Sequence, residues 1–70
     1  MDDVTFNLKE EFIPLIQLLK YTGIAESGAH ASELVTAGLV ACNGQQETRK
    51  RYKVRRGDII IVEGTRIEVQ

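Results

Sequence analysis

The chain has one cysteine, Cys42, and one histidine, His30, so it can form no internal disulfide and holds too few soft ligands for a structural zinc site. A lone thiol suits a reducing compartment, and a cytoplasmic location is expected. Long apolar runs are missing too: the longest aliphatic stretch, Ile59 to Val62, has four residues, and the chain opens on Asp2 and Asp3 rather than on basic residues. Neither a membrane partner nor an export signal is expected from this. No repeat, low-complexity tract or linker-like segment divides the sequence. With 70 residues, of which 43% are hydrophobic, the expectation is one domain over residues 1–70. A domain this short hides only about 60% of its unfolded surface, so large ligand cavities are not expected, nor a small-molecule substrate or cofactor.

What the sequence does have is an uneven distribution of charge. The formal net charge is −1, yet residues 1–35 hold two basic and six acidic residues, whereas residues 36–70 hold seven basic and four acidic ones. Six of the nine cations lie in one octet: Arg49, Lys50, Arg51, Lys53, Arg55 and Arg56. No acidic residue interrupts that octet, so its cations are not expected to be neutralised locally. Tyr52 stands among them as a stacking surface, and a polyanion would relieve the repulsion.

Turn signals place this segment. Pro14 suits the first turn of a helix and Gly23 the position just past its end, with Leu15, Leu18, Leu19 and Thr22 on one face and Lys20 on the solvent side. Ser27 reads as the N-cap of a second helix that turns Ala31, Leu34 and Val35 inward and stops at Gly38. A capping box would need Glu or Gln at position 30; His30 stands there, so a single-sided cap is expected.

After Gly38 the pattern becomes β-prone. Val40 to Cys42 leads into Asn43-Gly44, a strong two-residue hairpin signal, with a second arm expected over Gln45 to Thr48. Arg56-Gly57-Asp58 reads as a turn, followed by strands over 59–62 and 65–69 about Glu63-Gly64. A two-residue turn there pairs Ile60 with Ile67 and Val62 with Thr65, and puts Ile60, Val62, Ile67 and Val69 on the helix side. Ile59 and Ile61 then share the other face with Arg66 and Glu68. They are covered by sheet curl or by the N-terminal segment, or they form a partner-binding patch.

Catalytic readings fail on the residues. Gly23 and Gly28 have the spacing of a phosphate-binding loop, but Ala29 and His30 stand where that motif needs Lys and Ser or Thr. Cys42 falls within a strand and His30 on a helix flank, with no orienting third group, so Cys42 is expected to fill core and His30 to pack at the helix edge or contact a phosphate or base. Glu10 and Glu11 are adjacent and do not converge on one point. No enzyme is expected.

Taken together, the string LLKYTGIAESGAHASELVTAGLVACNGQQETRKRYKVRRGDIIIV resembles the RNA-binding domain named for ribosomal small-subunit protein S4, in its small stand-alone bacterial form. The match spans residues 18–62: a helix pair ending in AGLV, then Val40, Asn43 and Gly44, then a basic stretch closing on Gly57-Asp58. The resemblance implies an α+β fold, with a helix-turn-helix-like pair packed on a small, mostly antiparallel sheet (the alpha-L motif). It also implies RNA held across the helices and the strand loops. Relatives often carry basic residues where this chain has Gly28 and Ser32, which moves the electrostatic share to the octet. The expected RNA-binding residues are Lys20, Ser27, His30, Arg49, Lys50, Arg51, Tyr52, Lys53, Arg55 and Arg56. The expected function is non-enzymatic binding of structured RNA, of the ribosomal or transfer RNA class, by a monomer. A ribosome or another ribonucleoprotein is the larger partner. The alternative is a protein–protein adaptor using the basic segment and the Ile59/Ile61 face.

Overall fold

The computed structural model describes residues 2–70. The elements run β1 (Asp2–Phe6), β2 (Ile13–Pro14), α1 (Leu15–Tyr21), α2 (Gly28–Thr36), β3 (Val40–Cys42), β4 (Gln45–Gln46), β5 (Lys53–Val54), β6 (Ile59–Val62) and β7 (Thr65–Val69).

Pro14 has no N–H to leave unpaired and holds φ at −60°, so the chain turns helical directly behind it; it is the N-cap of α1, one place earlier than the sequence suggested. Leu15, Leu18 and Leu19 are fully buried and Lys20 is exposed, as the 3.6-residue period requires. Ser27 caps α2, its Oγ accepting the His30 N–H at 3.1 Å. The cap is two-sided, contrary to expectation, because His30 Nδ1 accepts the Glu26 N–H at 3.1 Å. The imidazole thus stands in for the carboxylate of a capping box and reaches one residue further back. Gly38, at φ +78°, ends α2: the Leu39 N–H donates to Leu34 O and the Gly38 N–H to Val35 O, both at 3.1 Å.

The main sheet has the order β1-β7-β6-β3-β4 and is antiparallel except where β1 runs parallel to β7. Asn43 and Gly44 (φ +52° and +85°) and Glu63 and Gly64 (φ +45° and +84°) supply the left-handed pairs that two-residue hairpins need. The register of β6 and β7 is the expected one, Ile60 opposite Ile67 and Val62 opposite Thr65. One apolar cluster joins Val40, Cys42, Ile60, Val62, Ile67 and Val69 of the sheet to Leu15, Leu18, Leu19, Ala31, Leu34 and Val35 of the helices. Each large aliphatic side chain taken out of water there contributes about 1.5–3 kcal/mol before entropy is counted.

Two expectations are revised. The N-terminal segment does not lie over Ile59 and Ile61: β1 adds to the sheet edge, with Val4 opposite Ile67 and Phe6 opposite Val69, and both pack against the core. Ile59 and Ile61 remain half-buried. The second hairpin arm stops at Gln46, because the chain then leaves the sheet and pairs Lys53 and Val54 with Pro14 and Ile13 in a separate two-stranded ladder.

Candidate nucleic-acid interface

The basic octet lies between β4 and β6, and its backbone is fixed at several points. The first N–H groups of a helix have no partner within the helix. In α1 the Leu15 N–H donates to Tyr52 O at 2.9 Å and the Ile16 N–H to Lys50 O at 3.2 Å, so the octet caps the helix with its own carbonyls. Val54 is fully buried in the core. At the far end Asp58 Oδ2 accepts the Arg55 N–H at 2.9 Å, while Asp58 Oδ1 accepts from Asn43 Nδ2 at 3.1 Å. Asn43 Oδ1 in turn accepts the Ile59 N–H at 2.9 Å, which ties the hairpin tip to the end of the octet.

With main-chain groups facing inward, the cations face outward: Arg49, Lys50, Arg51, Lys53, Arg55 and Arg56 are all exposed. Their individual surroundings differ. Glu47 binds Arg49 in a fork, with Nε donating to Oε2 at 2.9 Å and Nη2 to Oε1 at 3.0 Å, and the Arg49 N–H also donates to Oε2 at 2.9 Å. These bonds hold the Glu47 carboxyl down to about 2. Local neutralisation therefore does occur, contrary to the sequence reading, through an acid two residues outside the octet. The guanidinium of Arg49 also stands 5.2 Å from the centre of the Tyr52 ring. Burial, and then the charge of Asp58, pushes the Tyr52 hydroxyl up, so it stays protonated. Lys53 Nζ lies 5.0 Å from the centre of the Phe12 ring, and Phe12 is 37% exposed. Arg56 Nε donates to Leu8 O at 3.0 Å.

Arg49, Arg51, Tyr52, Lys53, Arg55 and Asp58 line a concavity of about 540 Å³, formed by side chains of this segment outside the apolar core. Lys50 and Arg56 are not among its walls. The remaining expected residues form a second group at the turn between the helices. Ser27 and His30 cap α2 with each other's help, and a Cβ on Gly28 would stand 3.9 Å from Lys20 Cδ. The sequence reading missed Glu47, Phe12, Asn43 and Asp58; the signals were the Glu-x-Arg spacing and the Asn-Gly and Gly-Asp turns.

Other chemistry has little to stand on. Burial, reinforced by the charges of Glu47 and Asp58, pushes the Cys42 thiol up to about 12, which keeps it from ionising at neutral pH. Among the described residues no three His, Cys, Asp or Glu side chains gather to hold a metal ion, and no helix is long and apolar enough to cross a membrane.

Comparison with known proteins gives consistent results. The family model for the S4 domain matches residues 6–70. YbcJ of Escherichia coli (strain K12) is 39% identical over 66 residues, covering 93% of this chain and 94% of that protein. The solution structure of YbcJ, said to reveal an alfaL motif involved in RNA-binding, superposes with a TM-score of 0.74 over 94% of this chain and 85% of that one. A Tyrosine--tRNA ligase of Nitrosospira multiformis is 32% identical over 65 residues, which are 89% of this chain and 16% of the ligase. The 30S ribosomal protein S4e from Thermoplasma acidophilum shares the fold, with a TM-score of 0.69 at 22% identity over 83% of this chain and 31% of that one. The two helices on a mostly antiparallel sheet are therefore the alpha-L arrangement, and the chain belongs to the S4 domain family.

Proposed function

We propose that this protein is a non-enzymatic module that binds structured RNA, of the ribosomal or transfer RNA class, through the octet Arg49–Arg56 with Lys20, Ser27 and His30 at the helix turn. The observation that carries the reading is the division of labour within the octet. Backbone carbonyls cap α1 and Val54 fills core, while the charged side-chain nitrogens of Lys50, Arg51, Lys53 and Arg55 have no carboxylate oxygen within 4 Å among the described residues. A row of cations held at fixed spacing and left without counter-charge suits a phosphate backbone, which would release its own counterions on binding. The YbcJ structure, with its motif involved in RNA-binding, supports the same reading, as does a matching segment in a ligase named for transfer RNA. A ribosomal or other ribonucleoprotein particle of the cytoplasm is the setting such a monomeric module fits.

The test is the salt dependence of binding to a fluorescent RNA stem-loop, followed by anisotropy. Each phosphate contact contributes about 0.7–0.9 log units of affinity per decade of salt. Replacing Arg51, Lys53 and Arg55 together by Ala should reduce the slope by about three contacts and leave the circular-dichroism spectrum unchanged, since those side chains are exposed. A flat salt response in the unmodified protein overturns the reading.

A further inference from the structure

We propose that the concavity beside β5 is a subsite for one unpaired nucleotide of the bound RNA, its base stacked on the guanidinium of Arg49 and its phosphate held by Arg51, Lys53 and Arg55. This rests on the RNA-binding reading and goes beyond it, since general attraction to phosphates requires no such site.

Three observations lead there. The first is that Arg49 is held in place, unlike most exposed arginines. Glu47 takes Nε–H and one Nη2–H, the guanidinium carbon stands over the Tyr52 ring, and the side chain is nevertheless 73% exposed. Of the five N–H donors of a guanidinium, three are left over, on a planar group whose side chain is mostly open to solvent. The second is that Tyr52 is itself fixed. Its ring packs partly against the core, its carbonyl caps Leu15, and its N–H donates to Arg49 O at 3.2 Å. A base landing on Arg49 would therefore meet a surface that is already ordered. Arginine planes and aromatic rings are the usual stacking partners of unpaired RNA bases. The third is charge. Arg51, Lys53 and Arg55 wall the same space, whose volume of about 540 Å³ lies within the ~300–1,000 Å³ of small-ligand pockets. An aromatic plane next to an anion is the chemistry of a nucleotide. A fully paired stem offers the anion without the plane.

Glu47 becomes a positioning residue in this arrangement. Its presence separates the proposal from plain electrostatics, because removing an acid from a polyanion site should only strengthen phosphate binding.

The experiment compares two RNA stem-loops that differ by a single bulged adenosine, and reads the ratio of their affinities so that charge effects common to both cancel. The unmodified protein should favour the bulged RNA by about fivefold to a hundredfold, the span of one base stacking contact. Arg49→Lys, which keeps the charge and loses the plane, and Tyr52→Leu, which keeps an apolar contact with the core, should bring the ratio toward one. Glu47→Gln should tighten binding to the paired stem while lowering the ratio. Should Tyr52→Leu fail to fold by circular dichroism, Arg49→Lys carries the test, since that side chain is exposed. A ratio near one in the unmodified protein, or a ratio that survives both Arg49→Lys and Glu47→Gln, overturns the subsite and leaves RNA binding standing. Failure to bind either stem-loop overturns both readings. Adenosine monophosphate that binds alone as tightly as the bulged RNA would make a free nucleotide the ligand, and would overturn the proposal as stated.

Discussion

Replacing Asn43 by alanine should cost this protein about 2–3 kcal/mol of stability. Asn43 sits at φ +52°, and its side chain makes two hydrogen bonds, donating to Asp58 and accepting from the Ile59 N–H. A typical hydrogen bond contributes about 1 kcal/mol net. Left-handed backbone costs an L-residue about 1–2 kcal/mol, of which asparagine offsets up to about 1 kcal/mol through local hydrogen bonding and alanine none. A 70-residue domain has a total stability of about 4–10 kcal/mol, so the loss is a large share of it. The melting temperature should fall by about 10–20 °C, at 4–8 °C per kcal/mol for a domain of this size. Asn43→Gly separates the two contributions: glycine loses the same bonds but accepts the positive φ, so it should retain about 1 kcal/mol more than alanine. Urea and thermal denaturation followed by circular dichroism measure both variants. An alanine variant within about 0.5 kcal/mol of the parent, or an alanine and a glycine variant of equal stability, would refute the argument that Asn43 clamps the hairpin tip to the end of the basic octet.

Two further outcomes follow from the titrating groups. Glu47 has its folded-state pKa lowered from 4.5 to about 2. Its contribution is therefore fully present above about pH 4.5 and is lost as the pH falls through about 2; a carboxyl resonance of Glu47 titrating near 4.3 would contradict the fork to Arg49. The Arg49 side chain is exposed, so the depression should shrink in high salt. Cys42 is buried with its thiol pushed up to about 12, so at pH 8 a thiol reagent should label the native protein far more slowly than the urea-unfolded chain. Equal rates would place Cys42 outside the core.

How much of this was legible in the sequence depends on how local each signal is. Helix ends at Ser27 and Gly38, and the register of β6 against β7, follow from residues within a few positions of one another and were read correctly. The strand β1 was missed although Val4 and Phe6 alternate with polar residues, because its partner β7 lies some sixty positions away and periodicity says nothing about partners. The ladder of β2 and β5 is only two residues long on each side, below what a pattern can register. Side-chain partnerships were the hardest to read. Counting acids inside the octet excluded Glu47, yet its carboxylate reaches Arg49 two positions on. His30 read as a packing residue or an RNA contact, but position three of a helix also lets a side-chain acceptor reach back over the cap, and an imidazole nitrogen serves.

The uneven charge of the chain takes on a physical meaning once the octet is seen in place. If the segment's cations held it against the protein, a polyanion could recruit them only by breaking those contacts. Apart from Arg56, whose guanidinium donates to Leu8 O, and Lys53 over the Phe12 ring, the attachment runs through groups without net charge: the carbonyls of Lys50 and Tyr52 on α1, and the side chain of Val54 in the core. The acids that do touch the segment act at its ends, Glu47 on Arg49 and Asp58 on the Arg55 N–H. Lys50, Arg51, Lys53 and Arg55 are left with mutual repulsion, screened over a Debye length of about 8–10 Å at physiological salt. Because the backbone bonds do not depend on ionic strength in the same way, salt should change the affinity for RNA without loosening the octet. Amide exchange of Leu15 and Ile16, the two donors that the octet caps, should therefore hardly change across a salt range over which RNA binding falls steeply. Parallel loss of protection at those amides would mean that the cations hold the segment in place after all.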